Sequence, residues 1–116
     1  MKYVFLIHEN EAQMSQMNAQ SFDDLVRAHG NFAEELKKSG QHLGGMGLKP
    51  SNTATTLRVR NGKLLTTDGP YADTKEQLGG FYILETKDLD EAIAIAARLP
   101  GLDYSSVEIR PALDVD

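Results

Sequence analysis

Thr67-Asp68-Gly69-Pro70-Tyr71-Ala72-Asp73-Thr74-Lys75-Glu76-Gln77-Leu78-Gly79-Gly80-Phe81-Tyr82-Ile83-Leu84-Glu85 joins a tight polar turn, a dense run of ionisable groups and an apolar strand in one stretch. Asp68 opens the turn, where its carboxylate can accept from nearby backbone N–H groups. Gly69 admits backbone conformations closed to other residues, and Pro70 fixes its own φ and pushes Gly69 out of the helical region. Asp68 is therefore expected at a fixed place on a stiff backbone. Upstream, Ala54 to Arg60 alternates, with Leu57 and Val59 on one side and Thr56, Arg58 and Arg60 on the other. Asn61-Gly62 is a type I′ hairpin signal, and Lys63 to Thr67 is the returning strand that runs into Asp68. Downstream, the polar residues 72–78 read as one helical turn, and Gly79 to Thr86 as a strand whose apolar members are Phe81, Ile83 and Leu84.

The remaining elements follow outward from that centre. Residues 2–8 form a short apolar run rich in β-branched and aromatic residues, a buried strand. Residues 9–20 are polar, with Met14 and Met17 three apart, and fit a short helix or a loop. Ser21 reads as the N-cap of a helix, with Asp24 at capping-box spacing. Apolar residues follow at Phe22, Leu25, Val26, Phe32, Ala33 and Leu36; Lys37 and Lys38 suit the last turn, and Gly40 its C′ position. The series 22, 25, 29, 32, 36 has helical spacing, and its middle member is His29, a polar residue in a core-facing slot.

Residues 41–49 read as a strand interrupted by glycines, which mark a bulge or a close backbone approach. Pro50-Ser51-Asn52 makes a turn. A second helix begins after Asp88, with Leu89, Ala92, Ile93 and Ala96 on its inner face, and stops at Pro100-Gly101. Tyr104 to Arg110 is the last strand, with Val107 and Ile109 on one face; Pro111 and the acidic Asp114-Val115-Asp116 are expected outside the sheet. The order is strand, helix, strand, hairpin, strand, helix, strand. It predicts a single α+β domain over 1–116: a ferredoxin-like sandwich with an antiparallel sheet, two main helices on one face and an added β-hairpin. The sheet's other face is left bare, and a second copy in a two-fold dimer is its expected cover.

Composition narrows the function. The 116 residues carry a formal net charge of -5, with a pI near 5.1. That balance argues against nucleic acid or an anionic membrane as the main partner, since both call for clustered Lys and Arg. The absence of cysteine removes disulfides, thiolate metal sites and Cys nucleophiles. No apolar run reaches the roughly 20 residues of a membrane span. The apolar start at Met1 is too short for a signal peptide and is followed by acidic residues, so a cytoplasmic location is expected. The histidines show no close metal-ligand pair such as i, i+4, and no metal is expected. Gly44-Gly45-Met46-Gly47 lacks the Lys-Ser/Thr and the following helix of a nucleotide loop, and no nucleophile elbow is present.

Thr67-Asp68-Gly69-Pro70-Tyr71 with Thr74-Lys75-Glu76-Gln77-Leu78-Gly79-Gly80-Phe81-Tyr82 resembles the signature of the YCII-related, or DGPF-domain, proteins. The resemblance extends over essentially the whole chain. It takes in Met1-Lys2-Tyr3, the helix with His29, Gly44-Gly45, Asp88-Leu89-Asp90-Glu91-Ala92 and Val107-Glu108-Ile109-Arg110-Pro111. One departure stands out: the motif usually reads Asp-Gly-Pro-Phe, and Tyr71 here adds a hydroxyl near the turn. The resemblance implies a ferredoxin-like fold paired as a dimeric α/β barrel, and an active site made of a helix His and the turn Asp, here His29 and Asp68. Members of the wider superfamily are mostly cofactor-free small-molecule isomerases, lyases and oxygenases. The resemblance thus implies a small-molecule ligand and no cofactor, and stops before the reaction.

A carboxylate bonded to one imidazole nitrogen fixes the tautomer and leaves the other nitrogen to take or give a proton near neutral pH. His29 with Asp68 would be such a pair. Each residue also has a plainer reading: a lone His on an apolar helix face is commonly a bonded core residue, and Asp before Gly a turn former. Tyr71 is a second proton donor or a packed aromatic. Lys75 holds an anionic substrate or pairs on the surface with Glu76. Arg58 and Arg60 bind a carboxylate at a dimer interface or are simply solvated. His8 and His42 sit at strand ends without a visible partner. Two functions follow: an enzyme-like protein doing proton transfer on a small ring or enol compound, or a non-catalytic ligand-binding or regulatory dimer in which the same pair only shapes a pocket.

Overall fold

The computed structural model describes residues 1–113. Its strands are β1 (Lys2–Glu9), β2 (His42–Gly47), β3 (Thr55–Arg60), β4 (Lys63–Asp68), β5 (Gln77–Glu85) and β6 (Ser105–Pro111). Its helices are α1 (Glu11–Met14), α2 (Ala19–Lys38) and α3 (Leu89–Ala96). Four strands form one antiparallel sheet in the order β2-β5-β1-β6, while β3 and β4 pair only with each other. Setting the hairpin aside, this is the ferredoxin-like arrangement, an α+β sandwich.

β1 alternates strictly. Tyr3, Phe5 and Ile7 point into the core, and their neighbours Val4 and Leu6 point to the opposite face. On β5 the inward residues are Tyr82 and Leu84, whereas Phe81 and Ile83 lie on the opposite face. An apolar run that alternates through two apolar sets does not reveal which set is inward; pairing with Phe5 and Tyr3 decides it here. Phe32 and Leu36 of α2 and Ala92, Ile95 and Ala96 of α3 close the core on that one face, together with Leu99. The inner face of α3 is thus rotated from the expected one: Leu89 and Ile93 are exposed, and Ile95 takes the buried place.

Several local expectations are corrected. The N-cap of α2 is Asn18, whose Oδ1 accepts from the Ser21 N–H at 2.8 Å, and the helix already begins at Ala19. Asp24 instead accepts from the Gln20 side chain at 2.9 Å. Residues 72–76 hold no helical turn, and β5 starts at Gln77, two residues earlier than expected. Pro111 ends β6 and pairs with Tyr3, because its missing N–H costs nothing at a strand terminus on the sheet edge. The expected acidic end 114–116 lies outside the described residues.

The hairpin turn is as the sequence indicates: Asn61 and Gly62 have φ of 52° and 76°, the type I′ signs. The Asp88 cap of α3 also forms, accepting from the Glu91 N–H at 2.9 Å. The glycines of β2 do accompany a register shift, between His42 and Gly44.

The molecule measures 47 × 45 × 19 Å, and its radius of gyration is 16.1 Å. A compact domain of this length has about 13 Å. The excess comes from the hairpin, and the thin dimension is that of one helix layer on one sheet. Leu57, Val59 and Leu64 lie on one side of the hairpin and are 57%, 68% and 63% exposed.

Gly30 sits inside α2 with nothing within 4 Å of where a Cβ would be. Glycine in a helix interior costs about 0.5–1 kcal/mol relative to alanine. Gly30→Ala is therefore expected to raise stability by about that amount, read as a higher urea midpoint at unchanged m-value.

Candidate functional site

Helix α2 carries its apolar stripe along its whole length, but only the second half is buried. Phe32 and Leu36 enter the core, while Phe22 and Val26 stay 51% and 56% exposed. The first half instead walls a cleft of about 410 Å³ against the sheet. Phe22, Leu25 and Val26 form that wall, and Gly45, Gly47, Gly79 and Gly80 lie on the sheet side. His29 stands where the stripe passes from cleft to core, beside Tyr82 and His42.

His29 Nδ1 lies 2.8 Å from the Tyr82 hydroxyl, which is also 3.4 Å from the His29 carbonyl oxygen. The rings stack at 6.0 Å, and Phe32 meets the Tyr82 ring edge-on at 5.6 Å, so the phenol is held from two sides. The hydroxyl can serve either tautomer. With its proton on Nδ1, it leaves an N–H at Nε2; with its proton turned to the carbonyl, it accepts from Nδ1–H and leaves Nε2 free as a base. Burial pushes the Tyr82 phenol up to about 12, so it stays a neutral donor. Burial also lowers the His29 pKa from its ordinary value, favouring neutral imidazole at pH 7. Glu9, on the same cleft, is shifted upward by burial and then by the nearby Glu11 carboxylate.

Within one chain, Asp68 is not the partner of His29. The expected His–Asp contact is replaced by His29–Tyr82, and Asp68 lies exposed at the end of β4, paired with Thr55. The turn itself is stiff, as expected. The Gly69 N–H donates to the Ala54 carbonyl at 2.7 Å, the Thr56 hydroxyl donates to the Gly69 carbonyl at 2.8 Å, and Gly69 has φ 106°. Arg58 donates from Nη2 to the Tyr71 carbonyl at 2.7 Å, so its guanidinium fastens the turn. Tyr71 is largely exposed and lines a second cleft of about 460 Å³ with Pro70, His8 and Glu76. Lys75 is exposed and lines neither cleft. His8 pairs with Glu108 at 3.6 Å, and His42 meets the Tyr82 ring edge-on at 6.1 Å.

Sequence reasoning missed Tyr82 and Glu9. Glu9 had a signal, since it continues the inward series Tyr3, Phe5, Ile7 by one more step of two. Tyr82 had none, because Phe81 and Ile83 are at least as apolar.

The family profile described as the YCII-related domain matches residues 1–116. The uncharacterized protein R00369 of Rhizobium meliloti (strain 1021) is 34% identical over 114 residues, covering 96% of this chain and 91% of that protein. Among solved structures, this chain resembles 5-chloro-2-hydroxyhydroquinone dehydrochlorinase (TftG) of Burkholderia phenoliruptrix AC1100, in complex with 2,5-dihydroxybenzoquinone. The TM-score is 0.59 over 99% of this chain and 96% of that one, at 18% identity, a likeness of fold. Among the described residues, no helix is long and apolar enough to cross a membrane.

Proposed function

This chain belongs to the YCII-related family, and we propose that it is a cofactor-free small-molecule enzyme of isomerase or lyase type, with His29 as its acid–base group. The observation that carries the reading is the 2.8 Å bond from Tyr82 to Nδ1 inside an apolar cleft. It fixes the ring and leaves Nε2 to exchange a proton with a ligand. Tyr82 takes the orienting role that a carboxylate has in a His–Asp pair, and it does so without adding charge. A fold neighbour that is a dehydrochlorinase is consistent with proton-transfer chemistry in a cleft of this kind.

The test is turnover in a screen of small ring and enol compounds, followed by its pH profile. Because burial lowers the His29 pKa, the acid limb of activity is expected below pH 6.5, the ordinary value for histidine. Stability follows with a definite sign. The unfolded chain takes up the His29 proton first as pH falls, so the fold loses stability from about pH 6.5 downward, until the folded protein also binds it. Binding of such compounds with no turnover would instead mark a non-catalytic ligand-binding dimer.

A homodimer is the second part of the reading. It would cover the bare sheet face with Val4, Leu6, Phe81 and Ile83, and give the apolar side of the hairpin a partner. Sedimentation is expected to show a dimer, and a clean monomer at micromolar concentration contradicts it. In such a dimer the hairpin is the segment able to bring Asp68 to a second copy, with Tyr71, Arg58 and Lys75 beside it. Asp68→Asn tests that role: unchanged turnover removes Asp68 from the site.

A further inference from the structure

The Glu9 carboxyl is a polar group on the cleft for which His29 chemistry has no need. β1 sends Tyr3, Phe5 and Ile7 inward, and Glu9 is the next residue on that face. A β-bulge lies against it. Ile7 pairs with Gly80 but His8 pairs with Leu78, so Gly79 is the extra residue of β5. A Cβ at Gly79 would collide with the Glu9 carboxyl, so the bulge and its glycine make the room that this side chain occupies.

Between Glu9 and the His29–Tyr82 pair the sheet side is glycine backbone on β2 and β5, with the Ile7 side chain of β1 beside it. Gly45 pairs with Tyr82 and Gly47 with Gly80, and a Cβ on Gly47 would have nothing within 4 Å. Glu9 lies four residues along β1 from Phe5, the residue paired with Tyr82, about 13 Å of strand. A six-membered ring with oxygens at opposite ends, hydrogen-bonded at each, spans about 11 Å.

We propose that this cleft takes a flat ring compound bearing hydroxyl or keto groups at both ends, one oxygen at His29 and the other at Glu9. The proposal rests on the reading of His29 as the acid–base group and adds the second anchor. A flat ring can lie on a glycine floor beneath Phe22 and Val26, whereas a puckered ring of the same size needs more height. The Glu9 carboxylate accepts from the ring hydroxyl; burial and then the Glu11 carboxylate shift its pKa upward from the ordinary value, and Tyr104 is a further titratable group near it. His42 and Lys37 also line the cleft, and Lys37 is paired with Glu34 at 3.2 Å.

The test is amide NMR of the intact protein with hydroquinone (kept reduced under anaerobic conditions), phenol and cyclohexanol. Hydroquinone is expected to shift the amides of Gly45, Gly47, Gly79 and Gly80. It should bind about tenfold tighter than phenol, the worth of one added hydrogen bond, and phenol tighter than cyclohexanol. Glu9→Ala should erase the preference for hydroquinone and leave phenol unchanged. Gly47→Leu, whose side chain enters open space, should block both at an unchanged melting temperature. Absence of shifts at those glycines in millimolar hydroquinone overturns the proposal, as does a hydroquinone preference that survives Glu9→Ala. If either occurs while His29→Ala still removes turnover, the acid–base reading stands and only the second anchor falls.

Discussion

His29→Ala is expected to lower turnover about 10²- to 10⁴-fold, the usual worth of a positioned general acid or base. The fold should survive, because His29 is only half-buried and the residues that close the core beside it are Phe32 and Leu36. Tyr82→Phe is the informative companion. It keeps the ring that packs on Phe32 and removes only the hydroxyl at 2.8 Å from Nδ1. The lost orientation should cost about five- to tenfold, on the order of 1 kcal/mol for one hydrogen bond. The acid limb of the pH profile should move as well, since the group that holds the imidazole is gone. Equal turnover in wild type and His29→Ala would remove the acid–base role outright.

The largest expected effect on stability is at Gly45. Its φ is 145°, and a Cβ there would stand 2.5 Å from the Phe81 carbonyl oxygen and 3.0 Å from Tyr82 Cα. Neither obstacle can move: both belong to the backbone of β5, which is held by β1 on its other side. Strain of that kind costs about 1–3 kcal/mol before the steric overlap is added. Gly45→Ala is therefore expected to lose about 3 kcal/mol or more, a fall in melting temperature of about 10 °C or more for a chain of this size. Gly30→Ala is the matched control, the same substitution in open space with the opposite sign. A Gly45→Ala melting temperature within a few degrees of wild type would mean that β2 and β5 do not approach as described.

The Gly45 effect and the His29 effect belong to one construction. The close approach of β2 to β5 that Gly45 permits brings His42 to the Tyr82 ring. The same backbone contact sets where Tyr82 stands under α2. Stability and site geometry are thus coupled through one strand pair.

The sequence by itself determined whatever depends on neighbours along the chain. A short apolar run rich in β-branched and aromatic residues settled β1, Asn61-Gly62 settled the hairpin, Asp88 settled the start of α3, and helical spacing singled out His29 as the polar member of an apolar stripe. Each is a short-range signal, set by φ, by side-chain period or by a cap within one turn. Only the tertiary structure decided which groups meet. His29 finds Tyr82 because β5 pairs with β1 in a register that turns Tyr82 inward, and residues 53 positions apart carry no mutual trace in a single sequence. Asp68 lies on a hairpin that pairs with no strand of the main sheet, so its stiff turn was legible and its distance from His29 was not. Glu9 keeps the alternation of β1 and was legible along the chain, but the room it fills comes from a bulge at Gly79 of β5, a choice made between strands and not along them.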